Sequence, residues 1–189
     1  MRLFLAIELP PDLLDALESA IAQLRADSPE IAWVPPAKRH LTLKFLGDVA
    51  DDRLDRVIAL TDGVASKHCT FSMHLGGIGA FPNFRRARVV WIGVEHEARL
   101  ELLHHDLEVA GEGEGFEIEG RAFRPHVTLA RLRSPLEVER ARRLARAARR
   151  IDFSATVDVG EITLFESTLA QSGATYRRVH AAQLAGGGR

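Results

Sequence analysis

Two short segments of the 189-residue chain place a histidine and a threonine at the same spacing. The sequence HLTL, which begins at His40, recurs 86 residues later as HVTL, which begins at His126. On a β-strand, residues two apart point to the same face. His40 therefore lies beside Thr42, and His126 beside Thr128, with aliphatic side chains on the opposite face. If the two segments face each other, two imidazoles and two hydroxyls converge.

This set of side chains suits the cleavage of a phosphate diester. The ordinary pKa of histidine, about 6.5, allows one ring to be neutral and the other protonated near neutral pH. One ring can take a proton from water while the other gives a proton to the leaving oxygen of a ribose. Threonine hydroxyls can donate hydrogen bonds to the non-bridging phosphate oxygens, where negative charge is held in the transition state. This scheme requires no metal.

The repetition of the motif is what favours catalysis. A single His-x-Thr in a strand is common and usually has no chemical role. Two copies in opposite halves of the chain predict two halves of similar build, each contributing one copy. We interpret the six other histidines as surface or core residues, and expect no metal site at them; they are His68, His74, His96, His104, His105 and His180.

The composition is that of an ordinary globular protein. It is 46% hydrophobic and 27% charged, which excludes a disordered, collagen-like or disulfide-stapled chain. The single cysteine, Cys69, cannot form an internal disulfide. The apolar run at the N-terminus ends at Glu8, which is too short for a signal peptide or a membrane span. We expect a cytoplasmic monomer that does not bind membranes.

Charge alone does not indicate a nucleic-acid-binding protein, since the net charge is −1. Arginines are nevertheless clustered: six of the eleven residues 140–150 are arginine, and Arg85, Arg86 and Arg88 form a second group. Such runs are usually solvated faces. A surface that attracts phosphates is the alternative.

Strand-like segments joined by hairpin-like turns, with a few helices among them, predict an α+β fold with mainly antiparallel sheets. Proline and capping signals predict helices that begin at Pro11, near Asp51 and at a capping box over residues 134–137. A further helix is predicted over residues 98–110, and residues 76–83 are predicted to be a turn. The predicted strands are residues 3–8, 40–46, 70–75, 87–94, 116–120, 126–132, 154–165 (alternatively divided at Gly160) and 175–184.

At the two motifs the sequence resembles the two-histidine phosphoesterases. The surrounding blocks resemble, more narrowly, the bacterial and archaeal RNA 2′,3′-cyclic phosphodiesterases, also called 2′-5′ RNA ligases. The resemblance covers nearly the whole chain. Its blocks are RLFLAIELP (2–10), HLTLKFLG (40–47), GAFP (79–82) with VVWIGV (89–94), PHVTLAR (125–131) and SGATY (172–176).

The resemblance implies two pseudo-symmetric lobes, each a mainly antiparallel sheet with outer helices, around a central cleft. Residues 1–184 would form this single bilobal domain, and residues 185–189 a flexible tail. The implied reaction is hydrolysis of a terminal 2′,3′-cyclic phosphate on RNA to a 2′-phosphate, without metal or cofactor. By this resemblance His40 protonates the leaving 3′-oxygen and His126 activates water.

The resemblance also implies that Thr42, Thr128 and Arg131 hold the phosphate, a role that suits the forked guanidinium of arginine. Strict alternation, however, places Arg131 on the aliphatic face of its strand. It reaches the phosphate only if the strand ends, twists or bulges near Ala130; otherwise it is a solvent-facing base.

Weaker expectations concern the rim of the cleft. Lys44 has the same parity as His40 and Thr42, so it could add positive charge there, whereas Phe45 falls on the aliphatic face. A nucleobase could stack on an aromatic side chain. The candidates, from their places in the resembling blocks, are Phe4, Phe81 and Tyr176; Trp33 and Trp91 are assigned to the core.

Two alternatives remain open at this point. The same active site could act on 2′-5′ linkages or small nucleotides, as a phosphodiesterase or a ligase. The chain could instead be a non-catalytic module that binds nucleotides or RNA.

Overall fold

The structure, a computed structural model, describes residues 1–170 and 173–186. Ser172 of the last resembling block and residues 187–189 of the expected tail lie outside these ranges. The fold is α+β, as predicted. The helices are α1 (Pro11–Ala26), α2 (Leu54–Ala65), α3 (Ala98–Gly113) and α4 (Val138–Ala148), with 3₁₀ turns at Pro36–Lys38, Asp51–Arg53 and Phe84–Arg86. The strands are β1 (Arg2–Glu8), β2 (Ala32–Trp33), β3 (His40–Asp48), β4 (Phe71–Phe81), β5 (Val89–Val94), β6 (His126–Arg131), β7 (Ser154–Val159), β8 (Glu161–Ala170) and β9 (Gly173–Gln183).

In the described ranges the strands form one nine-stranded sheet in the order β7-β4-β5-β6-β3-β1-β8-β9, with β2 paired to β6. The two motif strands, β3 and β6, lie side by side in the middle and share one residue pair, Leu41 opposite Val127. We call β3, β1, β8 and β9 the first half and β6, β5, β4 and β7 the second half. The predicted antiparallel lobes are therefore present, joined through one continuous sheet.

The main hydrophobic core covers one face of this sheet. Leu5 and Ile7 of β1 belong to it, together with Leu17 of α1 and Leu103 of α3. The intervening β1 residue Phe4 faces the other way, into a small separate cluster. Alternation along β1 thus leaves the second face of the sheet free for the motifs.

A second core lies under α4. The α4 residues Leu144 and Ala148 pack with Val90 of β5 and Ala130 of β6, and Leu24 at the end of α1 joins them. The buried α4 positions recur every three or four residues, so the remaining positions face solvent. Helix α1 contributes residues to both cores, and the main core contains residues from the strands of both halves.

The prediction of a turn over residues 76–83 is wrong. Strand β4 continues through most of this stretch to Phe81. Gly79 makes room for a neighbouring side chain, because a Cβ at this position would overlap the indole of Trp91. Sequence composition indicated a turn where the structure instead uses glycine for a close approach between strands.

The predicted strand at residues 116–120 is also wrong, because this segment is an irregular loop. Phe116 is buried in the main core, with the Arg53 guanidinium 4.8 Å above its ring. The carbonyl of Glu117 accepts a hydrogen bond of 2.9 Å from Lys44. The Lys44 side chain thus provides the Glu117 carbonyl with the hydrogen bond that a neighbouring strand would otherwise supply.

Two helix boundaries differ from the predictions. Helix α4 begins at Val138 rather than within residues 134–137, because Glu137 has a non-helical backbone (φ −59°, ψ 148°) and the helix lacks a side-chain cap. Helix α3 continues past residue 110 to Gly113.

At the C-terminal end, the division of the long strand at Gly160 is confirmed. Strand β7 pairs with β4, and β8 pairs with β1, so the chain crosses between the halves at this glycine. Ala185, expected to open the tail, is held in place: its N–H donates to His68 (2.8 Å), and its carbonyl accepts from Thr70 (3.0 Å). Within the described ranges, no helix combines the length and the hydropathy needed to cross a membrane.

Candidate active site

Both motifs line one cleft of about 320 Å³ on the sheet face opposite the main core. All five residues predicted for the site meet there: His40, Thr42, His126, Thr128 and Arg131. Strand β1 and the β8–β9 hairpin complete the walls.

The pairing of the two motif strands sets how these side chains meet. With Leu41 opposite Val127 in antiparallel register, continuation of that register places His40 across from Thr128 and Thr42 across from His126. Residues opposite each other in an antiparallel pair project from the same face. Each imidazole therefore faces the hydroxyl of the other half.

A β-bulge in β6 brings Arg131 to the cleft. The pairing of β6 with β5 skips Leu129, which lies between the paired residues Thr128 and Ala130. An extra residue reverses the side-chain alternation beyond it. Arg131 consequently returns to the face of His126, where it is exposed and lines the cleft. This is the distortion that the sequence required if Arg131 were to reach a phosphate.

The first half has a matching bulge, which corrects two expectations. The pairing of β3 with β1 skips Leu43, the residue 86 positions before Leu129. Lys44, expected at the cleft, turns to the opposite face and is only 3% exposed. Phe45, expected on the aliphatic face, is 63% exposed and lines the cleft. Phe45 thus occupies in the first half the position that Arg131 occupies in the second.

Lys44 is held on its side of the sheet by a buried ion pair. Its ammonium lies 2.8 Å from the Glu108 carboxylate on α3 and donates to the Glu117 carbonyl. The same carboxylate accepts a hydrogen bond of 3.1 Å from the backbone N–H of Glu119. A buried charge needs such partners. The network fastens the loop after α3 to β3 and fixes the direction of the bulge.

The surroundings of both motif histidines favour the neutral ring. The pKa of His40 is lowered to about 4, chiefly by burial; a backbone hydrogen bond with Lys38 opposes the shift, and the positive charge of Arg131 adds to it. The pKa of His126 is also lowered by burial, against a hydrogen bond to Arg124 and with a contribution from Arg131. The expectation that one ring is protonated near neutral pH therefore does not hold for the free protein.

The hydrogen bond of His126 determines which nitrogen is free. Its Nδ1 lies 2.7 Å from the carbonyl oxygen of Arg124. A carbonyl can only accept, so the neutral ring carries its proton on Nδ1 and keeps a lone pair on Nε2. Within the described residues Nε2 has no hydrogen-bond partner, which leaves it available as a base.

The anion-binding groups of the cleft are also unoccupied by protein partners. Within the described ranges, neither the Thr42 nor the Thr128 hydroxyl has a hydrogen-bond partner, and Arg131 makes no ion pair. Arg2 and Lys38 add positive charge to the lining, and none of the lining residues is acidic. The cleft is therefore suited to a phosphate group.

Aromatic side chains brace each histidine. The His40 ring lies 4.9 Å from the ring of Phe4 and 5.2 Å from that of Tyr176, and both aromatics line the cleft. On the other side, Phe81 packs edge-on against His126 at 4.9 Å. Trp91, assigned to the core from sequence, is half-buried and lies 6.4 Å from His126.

The three candidates for stacking against a nucleobase therefore differ in whether they line the cleft. Phe4 and Tyr176 stand at the cleft, whereas Phe81 supports a histidine from outside the lining. Trp33 is half-buried, packs against both cores and donates a hydrogen bond of 3.0 Å to the Ser28 carbonyl.

Sequence reasoning missed Arg2 and misplaced Phe45. The repeat could have revealed Phe45, since it aligns with Arg131 at the same 86-residue offset. Arg2 carried no such signal, because its position depends on β1 lying beside β3. Lys38 was passed over too; its ammonium donates a hydrogen bond of 2.7 Å to the Ala174 carbonyl in the β8–β9 hairpin.

Two His-x-Thr strands meet at the centre of an antiparallel sheet that consists of two halves. This is the arrangement that the resemblance to the two-histidine phosphoesterases implied. Residues 10–170 match the 2′-5′ RNA ligase superfamily, and the chain belongs to this family. The resemblance noted in the sequence is thereby confirmed.

Individual relatives are similar over most of their length. An RNA 2′,3′-cyclic phosphodiesterase of Methanothermobacter thermautotrophicus is 30% identical over 176 residues, which cover 93% of this chain and 95% of the relative. The crystal structure of TT0787 from Thermus thermophilus superimposes with a TM-score of 0.81 at 29% identity, covering 100% of both chains. LigT of E. coli, crystallised with 3′-AMP, gives a TM-score of 0.72 at 26% identity, covering 97% of each chain.

Proposed function

We propose that this protein is an enzyme that hydrolyses the terminal 2′,3′-cyclic phosphate of RNA to a 2′-phosphate, by paired histidine acid–base catalysis without a metal. The observation that carries the proposal is the meeting of both His-x-Thr pairs with the unpaired Arg131 in one cleft. Similarity to proteins named RNA 2′,3′-cyclic phosphodiesterase supports the substrate class. The expectations of a cytoplasmic monomer, and of no cofactor, remain predictions.

The two histidines divide the proton transfers between them. His126 takes a proton from water through Nε2 as the water oxygen attacks phosphorus. The bond between phosphorus and the 3′-oxygen breaks, and His40 gives its proton to that oxygen. The products are a 2′-phosphate and a free 3′-hydroxyl, and exchange of one proton with solvent restores both rings.

The threonines and Arg131 stabilise the negative charge of the phosphate. Negative charge gathers on the non-bridging oxygens as water adds, and hydroxyls that are already in place stabilise it without reorganisation. Thr42 and Thr128 donate from opposite halves, so they can bind different oxygens of one phosphate. Arg131 adds a guanidinium fork, whose geometry matches two phosphate oxygens.

This mechanism requires His40 to gain a proton when substrate binds, because its pKa of about 4 leaves it neutral in the free enzyme. An anion in the cleft favours the imidazolium and raises that pKa. At a pH between the pKa of His40 in the free protein and its higher pKa in the complex, the complex holds more protons than its free components. Anion binding therefore takes up protons and becomes tighter as the pH falls.

We therefore expect the binding of sulfate, which has no proton to exchange near neutral pH, to take up protons at about pH 6. Calorimetry in two buffers of different ionisation enthalpy measures this uptake. The variant His40→Gln should take up less. Proton release, or no dependence on the buffer, would contradict the assignment of His40 as the acid.

The reaction is tested with purified protein, excess chelator and a short RNA that ends in a 2′,3′-cyclic phosphate. We expect hydrolysis to continue in chelator and to give a 2′-phosphate, which chromatography against authentic 2′- and 3′-phosphate standards distinguishes from its isomer. Loss of activity in chelator would refute the metal-free mechanism. A 3′-phosphate product would exchange the acid and base assignments.

A second activity fits the same residues. If a nucleoside hydroxyl takes the place of water, the chemistry joins or reopens a 2′-5′ linkage, and the family description names such ligation. A substrate pair with a 2′,3′-cyclic phosphate and a free 5′-hydroxyl would show this activity as a longer product.

A further inference from the structure

One strongly charged surface has no part in the chemistry described above. Residues 82–88 and 131–150 contain eleven arginines and two glutamates, a surplus of nine positive charges in a chain whose net charge is −1. All eleven arginines are exposed. We call these arginines the arginine surface; they are Arg85, Arg86, Arg88, Arg131, Arg133, Arg140, Arg142, Arg143, Arg146, Arg149 and Arg150.

The arginine surface is continuous with the cleft. Arg131 lines the cleft, and the next residue, Leu132, donates a backbone hydrogen bond of 2.9 Å to Arg88. The Arg88 guanidinium donates one of 2.6 Å to the Arg133 carbonyl. The 3₁₀ turn Phe84–Arg86 then contacts α4. Positive charge thus extends from the catalytic groups across the second half.

Much of this charge is not neutralised by the protein. Arg140 forms an ion pair with Glu30, and Glu139 forms ion pairs with both Arg142 and Arg146. Within the described residues, the other eight members make no ion pair; they are Arg85, Arg86, Arg88, Arg131, Arg133, Arg143, Arg149 and Arg150. Like charges held together repel one another, and a polyanion bound across them relieves the repulsion.

The rim of the first half differs, although the catalytic motifs are matched. Its exposed arginines on β9 are neutralised: Arg177 pairs with Glu166, and Arg178 with Glu161 and Glu8. The two halves therefore present similar histidines, but the arginines on β9 are paired with carboxylates whereas most of the arginine surface is not.

We propose that the arginine surface binds the sugar–phosphate backbone of RNA on the 5′ side of the cyclic phosphate. This inference rests on the proposed function for the substrate. A 2′,3′-cyclic phosphate ends its chain, so the rest of the RNA leaves the cleft in one direction, and the arginine surface is the largest group of unpaired cations that adjoins the cleft. Helix α4, with 11 residues, is about 16 Å long, which spans about five phosphates of a stacked strand.

The test compares an RNA of about ten nucleotides that ends in a cyclic phosphate with a nucleoside 2′,3′-cyclic phosphate. The charge-reversal variants are R85E/R86E and R149E/R150E. The matched control is R56E/K67E, which makes the same change in net charge away from the arginine surface. Arg56 lies on α2 and Lys67 just after it; both are exposed and form no ion pair in the described ranges.

For each surface variant we expect the ratio of kcat/KM for the RNA to kcat/KM for the mononucleotide to fall about tenfold at low salt. The slope of log kcat/KM for RNA against log salt should shrink by about 1.4, that is 0.7 for each of two lost phosphate contacts. The control should leave the ratio unchanged. An unchanged ratio in both surface variants, or an equal loss in the control, overturns the proposal.

Binding without turnover separates this inference from the proposed function. Fluorescence anisotropy with a labelled RNA that ends in a simple phosphate should show weaker binding by R85E/R86E but not by R56E/K67E. If wild-type protein hydrolyses no cyclic phosphate yet shows this difference, the proposed function fails and the arginine surface stands. If polyglutamate of equal charge binds as tightly as RNA, the surface is a site for acidic polypeptides and the RNA assignment fails.

Discussion

The variants His40→Ala and His126→Ala are each expected to lower kcat for the hydrolysis of a cyclic phosphate by about 10²–10⁴-fold. His126 is needed to remove the proton of water, and His40 to neutralise the leaving 3′-oxygen. Because both transfers belong to one displacement, the double variant should be little slower than the slower single variant. Single-turnover kinetics with a cyclic-phosphate RNA measures the effect.

The control for these substitutions is His74→Ala. His74 lies on β4, outside the cleft, and hydrogen-bonds Thr156. It should retain wild-type kcat. Thermal unfolding of all three variants establishes that the fold is kept. Activity within about tenfold of wild type in either motif variant is too much for loss of an essential acid or base, and would refute the paired role.

The second large effect is expected at Arg131. Arg131→Ala should lower kcat/KM by about 10²–10³-fold, comparable to the loss of one preorganised donor to a developing oxyanion. Arg131→Lys should restore part of the loss, since it keeps the charge but not the fork. A change confined to KM would show that Arg131 binds substrate and transition state equally.

Arg131 also affects the histidines, which gives a readout independent of turnover. Its positive charge lowers the pKa of both His40 and His126. Removal of that charge in Arg131→Ala should raise both pKa values, as followed by NMR titration of the imidazole protons. Arg56→Ala, on α2, should change neither. Unchanged titration in Arg131→Ala would place the guanidinium away from the imidazoles.

The catalytic pairs were predictable from sequence because their geometry is local. Residues two apart share a strand face, and that rule holds from His40 to Thr42 and from His126 to Thr128. It fails one residue later, at the bulges, because a bulge depends on how the neighbouring strand is paired. For that reason Lys44 and Phe45 were assigned to each other's faces, and Arg131 was left in question.

Other errors share that cause. The glycines of β4 indicated a turn, but one of them, Gly79, admits the Trp91 indole from the adjacent strand. The expected protonation of the motif histidines was based on the ordinary pKa of histidine in solution. Burial in the assembled cleft lowers the pKa of both His40 and His126. Patterns within one segment were informative, while contacts between segments were not encoded in any local pattern.

The short pairing between β3 and β6 has a mechanical consequence. His40 lies in the first half and His126 in the second, and within the described ranges β3 and β6 share one residue pair, Leu41 opposite Val127. Side-chain packing adds to the resistance to opening, because the main core contains Leu5 and Leu41 of the first half together with Val127 and Leu129 of the second. The distance between His40 and His126 therefore depends on the packing of this shared core, and a phosphate bound by residues of both halves would link the halves a second time.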